Sequence, residues 1–180
     1  MEPKTSKVFS TVLLFFYCLF FHFKGFICPE STNSNYKLIN QTCYYFVSTK
    51  YTFADAQSNC KRKFGSFEGM LAEPKTSQSV FALWSNARSI HYATSYLIGM
   101  DDLQNRDGQF RYSSSGVKVA NMSGVSLYLN NSPVKNDCAT LTSAFIRPYI
   151  EDNTCSWRYL SICEASLTTP TNGNDFFYLN

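Results

Sequence analysis

The chain predicts a single mixed α+β domain, and three observations carry that reading. Helical spacing of apolar residues is confined to the stretch from Phe53 to Ala87. Beyond residue 90 the pattern changes to short strand-like runs separated by turn residues. Six cysteines follow an apolar N-terminal run, the even number expected of a disulfide framework. A length of 180 residues suits one domain with short extras. Charged residues at 16% and aromatics at 17% give ample material for a core and exclude a disordered chain.

At the N-terminus, Lys4 and Lys7 precede an uncharged run of fourteen residues, Val8–Phe21. A spanning helix needs about 20 apolar residues, whereas a secretory signal needs roughly 7–15. Residues 1–25 are therefore expected to be a signal peptide cut near Gly25, although the A-x-A pattern is absent. The alternative is a short type II anchor with Lys4 and Lys7 on the cytoplasmic side. Export would place residues 26–164 outside the cell as a secreted domain, with 165–180 as a tail bearing Phe176, Phe177 and Tyr178. A membrane enters only if the first segment is retained. Asn40, Asn121 and Asn130 each begin an N-x-Ser/Thr glycosylation sequon, which fits the same compartment.

Cys18 leaves with the signal. Cys28, Cys43, Cys60, Cys138, Cys155 and Cys163 remain, implying three disulfides with fifteen connectivities open. Residues 29–42 read as a polar arm and Cys43–Ser48 as a strand. Thr52 caps a helix from Phe53, with Phe53, Ala56, Cys60 and Phe64 on one face and Gly65 as its stop. A second helix starts near Thr76 or Ser77, with Val80, Phe81, Trp84 and Ala87 as its core stripe. Tyr96–Met100 is nearly all apolar and suits a strand covered on both faces. Phe110-Arg111-Tyr112 alternates as a strand. Residues 113–136 are a long irregular loop region, rich in Ser, Asn and Gly. Asp137–Thr142 and Ser156–Glu164 read as the closing strands.

Composition excludes several functions. Without residues 1–25 the chain has 13 basic and 12 acidic side chains, and no block of like charge, so a nucleic-acid partner is not expected. His91 is the single histidine beyond residues 1–25, which rules out a zinc site built on several histidines. No nucleophile motif accompanies it, and Asp101-Asp102 read as turn or structural residues, so the chain is not expected to be an enzyme.

Several segments together resemble a C-type lectin-like domain in its long form with an extra N-terminal disulfide. They are Cys28-Pro29, Cys43-Tyr44-Tyr45-Phe46, Phe53-x-x-Ala56-x-x-x-Cys60, Leu97-Ile98-Gly99-Met100, Asp102 with Gly108–Tyr112, Asp137-Cys138-Ala139 and Ile162-Cys163-Glu164. Seven matches occur in the family's order from Cys28 to Glu164. The resemblance implies the C-type lectin-like fold and the pairs Cys28–Cys43, Cys60–Cys163 and Cys138–Cys155. It also implies a binding role, with glycans or an extracellular protein as partner.

Sugar-binding members use calcium, which takes six to eight oxygen ligands. The resemblance places their E-P-N or Q-P-D tripeptide at Ser132-Pro133-Val134, where Val134 has no side-chain oxygen, and a cis proline at Pro133. Their W-N-D falls at Ile150-Glu151-Asp152, so Glu151 and Asp152 are the ligands retained for a possible calcium ion. As residues alone they read as a solvated turn. Tyr128, Asn131, Ser132, Glu151 and Asp152 are the candidate ligand-binding residues, with Asn136 and Asp137 as further oxygen donors. Tyr128, Tyr149 and Trp157 are aromatic faces suited to pyranose rings, although Trp157 reads as core. The degraded motif leaves two functions: carbohydrate binding, and calcium-independent protein recognition without sugar.

Overall fold

The computed structural model describes residue 28 and residues 33–92, 94–104, 106–129, 137–143 and 146–166. The expected signal segment, Pro29, Asn130–Asn136 and most of the tail lie outside the described residues. Among the described residues, nine strands form one sheet with two α-helices packed on it.

β1 (Tyr36–Ile39) turns into β2 (Thr42–Tyr51) through Asn40 and Gln41, both at positive φ (48° and 64°). A two-residue hairpin needs this left-handed pair to match strand twist, and asparagine tolerates it well. The expected polar arm therefore contains a strand, which an alternating burial pattern ties to β2. Helix α1 (Phe53–Phe64) starts at Thr52, whose hydroxyl accepts from the Asp55 N–H, and stops at Gly65 at φ 54°. β3 (Met70–Leu71) is a short strand that pairs antiparallel with Cys163 and Glu164. Helix α2 (Ser77–Ile90) begins with a reciprocal cap between Thr76 and Ser79.

β4 (Ser95–Asp101) is buried along almost its whole length. β5 (Arg111–Tyr112) pairs with its end. β6 (Ser126–Tyr128), β7 (Cys138–Thr142), β8 (Tyr149–Asn153) and β9 (Tyr159–Ser166) complete the sheet in the order β1-β2-β9-β4-β7-β8-β6. The β4–β9 and β6–β8 pairs are parallel and the rest antiparallel. The stretch expected to be irregular thus holds β6, and Glu151-Asp152, expected in a turn, lie inside β8.

Strand alternation divides the core in two. Tyr96, Ile98 and Met100 of β4 join Phe46, Leu141, Ile150 and Ile162 on the face covered by α2. Leu97 points the other way, into Phe53, Ala56, Cys60 and Phe64 of α1. Two covered faces explain why the β4 sequence shows no alternation. The buried stripe of α2 is Val80, Leu83 and Ala87. Phe81 is exposed and Trp84 only partly buried, which corrects the expected stripe by one residue of helix rotation. Apolar residues make up half of this helix, so the 3.6 period fits two stripes and only packing selects one.

Three disulfides join Cys28–Cys43, Cys60–Cys163 and Cys138–Cys155. The second links α1 to β9 across 103 residues, with the Cα atoms 5.2 Å apart. In the chain-entropy picture a loop of this length restricts the unfolded chain by about 4–5 kcal/mol.

Two buried carboxylates brace the centre. Glu73 accepts from the backbone N–H and hydroxyl of Ser114, both at 2.6 Å, and faces Lys75 at 3.9 Å. Its side chain crosses β4 at Gly99, where a Cβ would stand 2.7 Å from both Glu73 Cγ and the Leu71 carbonyl oxygen. Glu164 lies beside it on β9, paired in register with Tyr44 of β2. Burial pushes the Glu164 carboxyl up to about 7.

Candidate functional site

The far edge of the sheet gathers the described part of the expected site. β6 runs parallel to β8, and the register pairs Tyr128 with Glu151. Tyr128 is 58% exposed. Its ring lies 4.7 Å from that of Tyr149, tilted by 36°, forming one aromatic step at the sheet edge.

Glu151 is held from below by a relay of hydroxyls. Ser95 Oγ lies 2.9 Å from Thr142 Oγ1, which donates to Glu151 Oε1 at 3.2 Å. Partial burial, followed by the Glu151 charge, holds the Tyr149 phenol above its ordinary pKa, so the phenol remains an O–H donor. Along the same face, Tyr159 donates to Asn153 Oδ1 at 2.8 Å, and Asn153 Nδ2 donates to Thr140 Oγ1 at 2.8 Å. β7 thus presents Thr140 and Thr142 to Glu151 and Tyr149 in register. Sequence reasoning named Tyr128, Tyr149 and Glu151 but not these threonines; Cys-Ala-Thr-Leu-Thr reads simply as a buried strand.

Asp152 neighbours Glu151 on β8 and pairs in register with Ala139. Asn131, Ser132, Asn136 and the cis bond expected at Pro133 lie outside the described residues. Calcium needs six to eight oxygens. Among the described residues no three His, Cys, Asp or Glu side chains converge on a point. Glu151 and Asn153 already accept hydroxyl hydrogens. The described donors alone do not make a calcium cage.

Trp157 was expected in the core and is instead 62% exposed. The Trp157 N–H bonds the Thr154 carbonyl at 3.0 Å, closing a turn that directs the residue outward next to Cys155. Ile146, in the loop joining β7 to β8 at the opposite end of that strand pair from Trp157, is 89% exposed. Of the sequon residues, Asn40 and Asn121 are exposed and Asn130 lies outside the described residues.

The remaining titratable residues hold the loops in place. Asp102 is buried and accepts from the Gly108 N–H at 2.7 Å and the Asp107 N–H at 3.3 Å. Arg111 binds Asp107 through both oxygens at 3.0 and 2.8 Å, and this guanidinium holds the Asp107 carboxyl well below the usual carboxylate range. Asp101 accepts from the Leu103 N–H and the Ser113 hydroxyl. His91 caps α2 and hydrogen-bonds through Nδ1 to the Tyr96 hydroxyl at 2.6 Å. Among the described residues no helix is long and apolar enough to cross a membrane.

Comparison with known proteins agrees with this architecture. By sequence, the chain has no significant match among curated proteins. In structure it is similar to human lithostathine, with a TM-score of 0.62 at 20% identity over 92% of this chain and 99% of the other. It is also similar to the C-type lectin CEL-I from Cucumaria echinata, with a TM-score of 0.61 at 18% identity over 76% of this chain and 98% of that one. A calcium-independent type II antifreeze protein gives a TM-score of 0.60 at 20% identity over 81% and 98% of the two chains. At such identities the likeness establishes the fold and leaves the ligand open. Residues 49–165 match the Lectin C-type domain, more than half of the sequence, and the chain therefore belongs to that family.

Proposed function

We propose that this protein is an extracellular recognition module that binds carbohydrate at the β6–β8 edge. The observation that carries the reading is the exposed Tyr128–Tyr149 step with the Glu151 carboxylate in register beside it. A pyranose ring offers an apolar face for an aromatic side chain and hydroxyl donors for a carboxylate acceptor. The Ser95–Thr142–Glu151 relay supports it by fixing the acceptor before a ligand arrives. Asn131, Ser132 and Asp152 are further candidate ligand residues in this proposal. The name of the structural neighbour CEL-I, a C-type lectin, fits it. Residues 1–25 serve as the signal peptide in this reading, with 26–164 as the binding domain and 165–180 as a tail.

The second reading is protein recognition without calcium. Tyr128, Ile146 and Trp157 favour it, since large exposed apolar and aromatic side chains serve as anchors at protein interfaces.

A glycan array probed with the purified protein in millimolar calcium, and again in EDTA, separates these readings. Signal lost in EDTA assigns a cation to the site and brings residues 130–136 into it. Signal that persists in EDTA and is lost in Tyr128→Ala places the sugar on the tyrosine step. Silence in both conditions rejects carbohydrate as the ligand class and leaves the protein partner.

A further inference from the structure

A second concave surface lies away from the β6–β8 strands, where the end of β2, the outer face of α1 and the turn before β9 meet. It encloses about 460 Å³ and is lined by Lys50, Tyr51, Asp55, Ser58, Arg62 and Arg158, among others. Its geometry follows from local structure. Asp55, Ser58 and Arg62 fall at i, i+3 and i+7 on α1 and so share one face. Register pairs Tyr51 with Tyr159, which brings the adjoining Lys50 and Arg158 to the same end of the β2–β9 ladder. The Phe53 N–H bonds the Cys155 carbonyl at 3.1 Å and pins the start of α1 to the turn that carries Arg158. Three cations remote in sequence thereby meet around one groove.

Two other arginines are paired with carboxylates: Arg111 with Asp107 and Asp102, and Arg106 with Asp137. Among the described residues, Lys50, Arg62 and Arg158 enter no ion pair. Asp55 is the one carboxylate of the lining, and it already accepts the Thr52 hydroxyl at 2.8 Å as part of the helix cap. A concavity whose lining holds three cations against one carboxylate has a net positive charge and concentrates anions. Arginine forks suit tetrahedral oxyanions in particular. Asp55 and the Ser58 hydroxyl would suit hydroxyl groups, and the half-exposed Tyr51 ring an apolar ring face. The volume falls within the range of small-molecule sites, roughly 300–1,000 Å³.

We propose that this groove binds a saccharide carrying more than one sulfate or phosphate ester, with Lys50, Arg62 and Arg158 holding the oxyanions and Asp55 accepting a ring hydroxyl. The site is independent of the tyrosine step, and either can fail without the other.

The test is titration calorimetry of the full protein with disulfated glucosamine and with fructose bisphosphate, at about 0.15 M salt. The variants are Arg62→Ala, Arg158→Ala and Lys118→Ala. All three residues are exposed, so folding is retained, and Lys118 lies outside the groove. The expected result is saturable binding of at least one ester, weakened about tenfold or more by each arginine change and left unchanged by Lys118→Ala. Which ester binds identifies the sulfate or phosphate source. Absence of binding for both, or equal weakening by Lys118→Ala, overturns the proposal.

Discussion

The centre of the sheet and its far edge are held by different means. Between β2 and β4 the side chains are buried on both faces, a disulfide crosses from α1, and the Glu73 and Glu164 carboxylates are buried, Glu73 accepting two hydrogen bonds from Ser114. At β8 and β6 only one face is apolar, Ile150 is the buried anchor, and Tyr128 stands in solvent. The centre sets the position of each strand. The edge, held by backbone pairing, by Ile150 and by hydroxyl bonds to Glu151 and Asn153, can present different side chains without disturbing the core. Changes at the centre should therefore register as stability, and changes at the edge as binding.

The largest effect expected at the centre is loss of the long disulfide. Replacing Cys60 and Cys163 together by alanine should lower unfolding free energy by about 4–5 kcal/mol in denaturant titration. Next comes Glu164. Its folded pKa of about 7 lies above the unfolded glutamate value of about 4.3, so the folded state binds the extra proton between them. Stability should fall as pH rises through that window, by up to about 3 kcal/mol, and Glu164→Gln should flatten the dependence. A melting-temperature profile against pH reads it directly; an unchanged slope in the variant would assign the pH dependence to other groups.

Gly99→Ala sets a methyl group against Glu73 Cγ and the Leu71 carbonyl, and should cost about 1–3 kcal/mol. Thr76→Ala removes half of the reciprocal cap on α2, for about 1 kcal/mol. A far larger loss at Thr76 would show that α2 depends on its cap more than on Val80, Leu83 and Ala87.

The same division governs what the amino-acid sequence reveals. Central elements carry strong local signals: the Thr52 cap, the Phe53–Phe64 stripe, the apolar run of β4 and the family cysteines. The edge carries weak ones. Glu151-Asp152-Asn153 has low strand propensity and becomes a strand through pairing with β7 and β6. Trp157 looks like core by residue type, yet a turn beside a disulfide turns it outward. The basic groove is silent in sequence, because Lys50, Arg62 and Arg158 converge only once β2, β9 and α1 are assembled.

The most direct test of recognition at the edge compares Tyr128→Ala with Trp157→Ala against the glycans that the wild-type protein binds. Both side chains are exposed, so neither change should shift unfolding free energy by more than about 0.5 kcal/mol. The account predicts that Tyr128→Ala weakens glycan binding about tenfold or more while Trp157→Ala leaves it intact. Full binding by Tyr128→Ala would contradict a sugar site at the Tyr128–Tyr149 step.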